Sequence, residues 1–378
     1  MLLKPKIFFV ATVEFTVNAF LLNHLRMLSG DFDLTLIVST TDPDFLSKQG
    51  ISARVIPMNM ARKINIPSDL YCLFKLIIIF LKNKPSAVQS ITPKAGLLAM
   101  LAGFISFVPF RVHAFTGQVW ANKKGIARFI LKSMDRLIGL LAHRCIIDSP
   151  SQRDFLINQG VVSNEKSIVF GSGSLAGVDL DRFKFNQKSA HVVRKNLMIP
   201  EDAFVFMYLG RLTIDKGIID LVNAFSRLGR QNVYLVMVGP DEKDLKDQIR
   251  DQYSELLAKI RFVGLTSQSE MYLSAANVLC LPSYREGFGS VLIEAGAMSI
   301  PVIASNIYGI QDAVIDRETG ILHAPKDVKA ITASMELLLA NSKLVSQLGI
   351  AARIRVTNEF DAKILSRYWL DFYLKYIR

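Results

Sequence analysis

The sequence predicts an α/β protein made of two successive parallel-sheet domains, and three observations carry that prediction. Short apolar runs alternate with longer helix-compatible segments, the pattern of strands covered by helices on both faces. The alternation breaks once, in a polar stretch that reaches residue 195, and then restarts. The 378 residues are also enough for two separately packed cores.

Composition narrows the class. Hydrophobic residues make up 51% of the chain and charged residues 21%. That excludes disorder and low-complexity segments, and no internal repeat occurs at solenoid periods. The three cysteines, Cys72, Cys145 and Cys280, lie far apart in apolar segments with no metal-like spacing, and read as reduced core thiols. A net charge of +12 calls for an acidic partner: nucleic acid, an anionic membrane or a phosphorylated substrate.

In the first half, runs at 6–10, 34–38, 54–57, 87–90, 111–114 and 144–148 read as strands. The opening MLLKPKIFFVATVEF is a first strand rather than a signal peptide, because Glu14 ends its apolar run. The longest uncharged stretch, 96–110, contains Pro109 and falls short of the ~20 residues that span a bilayer, so it reads as a buried helix. The first strand–helix turn, ATVEFTVNA, has no glycine, which removes the dinucleotide fingerprint and with it an NAD-dependent dehydrogenase. SITPKAG, at 90–96, offers Thr92 as a cap, Pro93 at the first helical position and Lys94 beside the free amides. It is either an anion site or an ordinary helix start.

His113, Thr116, Gly117, Gln118 and Trp120 cluster just after the fifth strand, where open sheets bind ligands. The next helix carries Lys124, Arg128, Lys132 and Arg136 in one basic stripe, with Ile126, Phe129, Ile130, Met134 and Leu137 on an apolar side. Such a helix either lies on an anionic membrane surface or packs on its own sheet. Nucleic acid is disfavoured, since no stacking aromatics interleave with the charges. The first domain is expected over 1–185, followed by a linker, with a second domain over 195–357 and a terminal helix over 358–378.

In the second half, strands are expected at 204–209, 233–238, 260–263, 278–281, 302–304 and 320–322. GRLTIDKG, at 210–217, puts Arg211 and Lys216 in a glycine-bounded loop, a reasonable diphosphate clamp. Residues 262–264, ending at Gly264, would line a slot for a base. The stretch SYREGFGSVLIE, at 283–294, reads as strand end, glycine loop and helix start, with Glu286 in the loop and Glu294 at the edge of the helix's apolar face. Gly287 and Gly289 let backbone approach a ligand, and the amides near Phe288 favour an anion. The two acids can accept hydrogen bonds from vicinal hydroxyls. Otherwise Glu294 is a solvated surface acid.

Together these motifs resemble the retaining glycosyltransferases of the GT-B group, CAZy family four, which carry an E-x₇-E element. TPKAGLLAMLAG, FTGQVWA and GSGSLAGVDLDRF are similar to the subset that builds bacterial surface polysaccharide such as O-antigen and capsule. The likeness covers nearly the whole chain. It implies two Rossmann-like domains facing across a crevice, the first for the acceptor and completed by the terminal helix, the second for the nucleotide-sugar donor. Arg211 and Lys216 match the pair that grips the donor diphosphate, Glu286 the acid that holds sugar hydroxyls, and Glu294 the acid that binds ribose. The backbone of Phe288 and Gly289 would lie near sugar and phosphate. Lys94, His113, Thr116 and Gly117 would stand on the acceptor side. Two departures stand out: the first loop lacks the family's glycine pair, and Thr116 occupies the place of a family histidine, with His113 three residues earlier.

The resemblance implies sugar transfer from a nucleotide donor, expected to be UDP-linked, to a hydroxyl. The basic stripe, the Lys94 site and the apolar composition point to a lipid-linked saccharide as acceptor, and no DxD-like metal site stands out after a strand in the right place, so neither essential metal nor cofactor is expected. The expected protein is cytoplasmic and held peripherally on the inner face of the cell membrane through Lys124, Arg128, Lys132 and Arg136. Two other classes share the expected fold. One is a sugar-nucleotide epimerase or a phosphorylase, the latter marked by a pyridoxal spectrum. The other is a non-catalytic sugar-nucleotide-binding subunit.

Overall fold

The structure, a computed structural model, describes residues 4–60 and 64–377. Residues 1–3 of the opening stretch and Arg378 at the end of the expected terminal helix lie outside the described residues. Two compact units are present, Met1–Gly177 with Ala362–Arg378, and Val178–Asp361.

The sheet of the first unit contains β1 (Lys6–Val13), β2 (Asp33–Ser39), β3 (Arg54–Pro57), β4 (Ala87–Ile91), β5 (Phe110–Phe115), β6 (Arg144–Ile147) and β7 (Ser167–Ile168). All neighbours are parallel, in the order β3-β2-β1-β4-β5-β6-β7. The helices are α1 (Glu14–Phe20), α2 (Leu22–Leu28), α3 (Ile66–Asn83), α4 (Pro93–Ile105), α5 (Gly125–Leu141) and α6 (Pro150–Asn158). Because successive strand residues point to opposite faces, β1 feeds two cores. Ile7 and Phe9 join Leu34 and Leu36 on one side, while Phe8 and Val10 join Leu76, Phe80 and Ala99 on the other. Burial on both faces explains why KIFFVATV is an unbroken apolar run rather than an alternating one.

The second unit's sheet contains β8 (Phe204–Leu209), β9 (Val233–Val238), β10 (Ile260–Val263), β11 (Val278–Leu281), β12 (Val302–Ser305) and β13 (Gly320–His323). It is again parallel, in the order β10-β9-β8-β11-β12-β13. Its helices are α7 (Gln187–Asn196), α8 (Ile218–Ser226), α9 (Leu245–Gln252), α10 (Ser269–Ser274), α11 (Ser290–Ala297), α12 (Ile310–Ala313), α13 (Val328–Ala340) and α14 (Ser342–Glu359). In each sheet the strand order reverses once, between β1 and β4 and between β8 and β11. Such a reversal splays the connecting loops apart at the carboxyl ends of the two strands and opens a crevice there.

The polar stretch expected to be a linker is instead helix α7, and the second unit starts at Val178 rather than at residue 195. Asn186 caps α7 by accepting from the Ser189 amide at 3.0 Å. Arg194 is buried, and its guanidinium donates to the carbonyls of Pro200, Ala203 and Ala275 at 2.8–3.1 Å. A buried cation that satisfies carbonyls looks, in composition alone, like a solvated one. The amide of Val178 donates to the carbonyl of Phe360 at 2.7 Å and so joins the unit's two ends.

The chain then closes with α15 (Ala362–Tyr376), which packs on α2 in the first unit. Trp369 stacks on His24 at 4.9 Å. The His24 ring bonds Ser366 at 2.9 Å and the Leu175 carbonyl at 2.6 Å. Burial pushes this imidazole down to about 4, with only the Leu175 bond opposing, so it sits in the core as a neutral ring.

Candidate functional site

The reversal between β8 and β11 brings two loops together, 210–217 after β8 and 282–289 after β11. They fit closely. Gly217 adopts φ 68° and starts α8, and a Cβ there would lie 2.1 Å from the Pro282 carbonyl oxygen. Next door, a Cβ on Gly239, at the end of β9, would lie 2.0 Å from the Gly210 carbonyl oxygen. Only glycine permits these approaches, which explains the glycines at these strand ends.

Asp215 ties the loops. Its carboxylate accepts from the Thr213 hydroxyl at 2.6 Å and pairs with Arg285 at 3.1 Å, and its carbonyl accepts from the Tyr284 amide at 2.8 Å. Burial alone would raise this acid, yet the Thr213 bond and the charges of Arg285 and Lys216 hold it below the usual carboxylate range. Tyr284 adds a second tie by donating its hydroxyl to Asp220 at 2.6 Å. On this frame Lys216 meets Glu286 in a half-buried ion pair, and the Ser283 hydroxyl donates to the same carboxylate at 2.8 Å.

Arg211 lies on the open side of the loop, paired with Glu242 at 2.9 Å, and its carbonyl accepts the Tyr208 hydroxyl at 2.7 Å. Gly289, at φ 75°, is the residue from which α11 begins. Phe288 is buried edge-on against Phe360 at 5.3 Å, which fixes the backbone entering that helix. Glu294 is half-buried one turn into α11. Burial pushes its carboxyl up to about 7, with Glu270 adding to the rise and Arg182 opposing it. Arg182 is itself held by Glu270 at 2.7 Å and by the Ser267 carbonyl at 2.7 Å. Gly264 follows β10, and no atom comes within 4 Å of where its Cβ would stand.

Arg211, Lys216, Glu286, Gly287, Phe288, Gly289 and Glu294 therefore share one sheet edge and its helix start. Sequence reasoning missed Asp215, Thr213, Ser283, Arg285 and Arg182. Asp215 lies between the two named cations and was within reach of the same argument. The others needed the pairing of β8 with β11, or the packing of 178–182 near α10, to be known.

The first unit corrects several expectations. His113 is a core residue: its Nδ1 bonds the Ser90 hydroxyl at 2.8 Å, and its ring stands edge-on to Phe115 at 4.5 Å. A Cβ on Gly96 of α4 would fall 2.4 Å from this ring, so the glycine makes room for it. Burial pushes His113 down to about 3, which leaves it neutral and unsuited to an anion or to proton transfer. Lys94 pairs with Asp69 at 2.8 Å with both side chains largely buried, so its charge is answered from within. Thr92 does not cap α4, because at φ 77° its hydroxyl bonds Thr12 at 2.6 Å across the β1–β4 reversal. Thr116 and Gly117 lie at the carboxyl end of β5 as expected. The Thr116 carbonyl accepts from Gln118 and Gln152, each at 2.6 Å, which pins the loop.

Three of the four cations in the basic stripe of α5 are tied to their own protein, with Arg128 and Lys132 partly buried and Arg136 exposed. Arg128 and Lys132 lie over the buried Trp120 ring at 5.5 and 5.6 Å and donate to Gln159 at 3.3 and 2.7 Å. Arg136 donates to the Gly160 and Gln159 carbonyls at 3.0 and 3.1 Å. These contacts place three cations at the carboxyl end of α6, where the helix dipole favours them. Trp120 is fixed in turn by donating to Asp135 at 2.7 Å. Lys124 alone of the four has no such tie among the contacts seen, and it stands exposed.

Among the described residues no group of three or more His, Cys, Asp or Glu is placed to hold a metal ion. Comparison with known proteins adds family evidence. The model of the glycosyl transferases group 1 family matches residues 191–355, which include the loops at 210–217 and 282–289 but not the 178–182 segment with Arg182. A capsular polysaccharide biosynthesis glycosyltransferase, CapM of Staphylococcus aureus, is 32% identical over 87% of this chain and 86% of its own length. An Escherichia coli protein named as a UDP-Gal:alpha-D-GlcNAc-diphosphoundecaprenol alpha-1,3-galactosyltransferase is 24% identical over 87% of this chain and 86% of its own. Among solved structures, HepE of Anabaena in complex with UDP-glucose superposes with a TM-score of 0.82 at 18% identity, covering 98% of this chain and 99% of that one.

Proposed function

This chain belongs to the group 1 glycosyl transferases and is a glycosyltransferase of polysaccharide biosynthesis, and from that premise we propose that it moves a sugar from UDP to a hydroxyl of a lipid-linked saccharide with retention of configuration. The observation that carries the reading is the Lys216–Glu286 pair, set at the β8–β11 reversal with Arg211 beside it. A cation and an acid locked together are a stored binding site. The donor diphosphate takes over Lys216 and Arg211, while Glu286, kept in place by Ser283, turns to the sugar hydroxyls. The amides at the start of α11 add partial positive charge. Glu294 receives the ribose hydroxyls, and Gly264 leaves flat space for the base.

Chemistry then needs only charge stabilisation and alignment. The bond from the anomeric carbon to the leaving phosphate breaks, the acceptor oxygen bonds on the same face, and the departing phosphate oxygen takes the acceptor proton. Two cations and a helix start neutralise the leaving group, so no essential metal is invoked; turnover that persists in chelator is the corresponding check. Thr116 and Gly117 supply a pinned loop end on the first unit's sheet as the acceptor candidate. Relatives named as acting on diphosphoundecaprenol-linked sugars support the lipid acceptor, and neighbours crystallised with UDP or UDP-glucose support the donor.

Thermal-shift measurements across UDP-, GDP- and dTDP-sugars test the donor. A true donor at a hundredfold excess over Kd stabilises by about 2.7 kcal/mol. UDP-sugars are expected to raise the midpoint, and no response to any of the three would contradict the reading. The Glu294 carboxyl supplies a pH signature. Its value of about 7 means that it loses its charge as pH falls through neutrality, and with it the better acceptor for ribose hydroxyls. Nucleotide affinity is therefore expected to weaken from pH 8 to pH 6, and Glu294→Gln to flatten that dependence. A wild-type profile that stays level over this range would remove Glu294 from the ribose site.

A further inference from the structure

The first unit carries an apolar surface that its own fold leaves uncovered. On α3, Ile66, Leu70, Phe74, Ile78 and Leu81 are 48–68% exposed, and their spacing of three or four residues lines them along one side of the helix. The opposite side, with Cys72, Leu76 and Phe80, is buried in the core. Over eighteen residues the outward stripe runs for about 27 Å.

The charges beside it have one sign. Lys75 and Lys82 stand exposed on the same helix, Lys75 over the Tyr71 ring at 4.9 Å, and Lys84 follows at its end. The helix's one carboxylate, Asp69, is turned to Lys94. Further exposed apolar residues lie in the same helix layer, in which α4 packs against both α3 and α5. Phe104 and Phe107 are exposed at the end of α4, as are Ile126 and Phe129 at the start of α5.

We propose that this face of α3 is a membrane-docking surface that seats its apolar stripe among the lipids of an anionic bilayer. The inference rests on the lipid-linked acceptor proposed above and assigns the contact to α3, not to the basic stripe of α5. A large apolar stripe flanked by lysines is the pattern of a helix that lies in a membrane interface. No described helix is long and apolar enough to cross a membrane, so α3 lies on the bilayer. A second copy of the chain is a poor occupant, because face-to-face packing would bring Lys75 and Lys82 of both copies together with no acid to answer them.

The test is sedimentation of the full chain with phosphatidylglycerol-containing and pure phosphatidylcholine vesicles, beside thermal shift with UDP. The wild type is expected to bind the anionic vesicles more strongly. Phe74→Glu with Ile78→Glu should lower that binding at least about tenfold, since it puts charge where lipid contact is made. Lys75→Glu with Lys82→Glu should remove the preference for anionic lipid, and Lys132→Gln should change nothing. The UDP response should be the same in all variants, which separates lost docking from lost folding. Should the donor reading fail, the UDP shift is absent while vesicle binding persists. The proposal is overturned if Phe74→Glu with Ile78→Glu binds vesicles like the wild type. It is equally overturned if the wild type ignores vesicles and forms a dimer that this variant dissociates.

Discussion

Glu286→Ala is expected to lower sugar transfer by about a thousandfold, the largest single loss among the site residues. Two effects combine. The variant removes the acid proposed to hold the sugar, and it takes from Lys216 its ion-pair partner, leaving Asp215 as the nearby negative charge. A stranded cation in a half-buried site costs stability as well, here about 2 kcal/mol because both groups keep some solvent contact. Glu286→Gln separates the two effects, for it keeps a hydrogen-bonding group beside Ser283 and loses only the charge. The measurement is release of nucleoside diphosphate with and without a saccharide acceptor. Glu286→Ala with wild-type turnover would move the chemistry elsewhere. A wild type that binds UDP-sugar but neither transfers nor hydrolyses it would favour a non-catalytic binding subunit. Conversion of the donor to an isomeric sugar nucleotide without acceptor and without net release of nucleoside diphosphate would favour an epimerase.

Much of this site could be read in the sequence because its parts are local. GRLTIDKG and SYREGFGSVLIE each carry their strand end, glycine turn and charged residues within a dozen positions, and the alternation of strands fixes which end of the sheet they occupy. What the sequence hid depends on direction and on distant partners. Helical periodicity says that α5 has a basic and an apolar side, and it is silent on which one faces the protein. Trp120 and the carboxyl end of α6 engage Arg128, Lys132 and Arg136, while Ile126, Phe129 and Ile130 of the apolar side stand exposed. His113 sits on a strand whose neighbours suggest a ligand site, but strand parity and the gap at Gly96 turn it into the core. The sequence of α3 is apolar on both its sides, and only the fold shows that Cys72, Leu76 and Phe80 face the core while Leu70, Phe74 and Ile78 stand exposed. Arg194 shows the converse, a charged residue in a polar run that proves to be the internal clasp of the second unit.

The joint between the two donor loops yields the second large effect, Gly217→Ala. An alanine there must hold φ near 68° and place its Cβ 2.1 Å from the Pro282 carbonyl oxygen, which is backbone and has nowhere to turn. The left-handed conformation alone costs about 1 kcal/mol for a residue with a Cβ. Relieving the clash adds to this, so a total of about 2–4 kcal/mol is expected. For a unit of this size that corresponds to a fall in melting temperature of about 5–10 °C. Activity should fall further than stability explains, because the shift that relieves the clash parts the Asp215 carbonyl from the Tyr284 amide and moves Lys216 away from Glu286. Gly264→Ala is the matching control, since its Cβ meets nothing within 4 Å and its backbone needs no positive φ. It should melt like the wild type, and if Gly264 borders the base it should weaken UDP binding alone. A Gly217→Ala variant with wild-type melting would mean that the two loops are free to part, and the clamp and the sugar-holding acid would then have to be positioned by the donor itself.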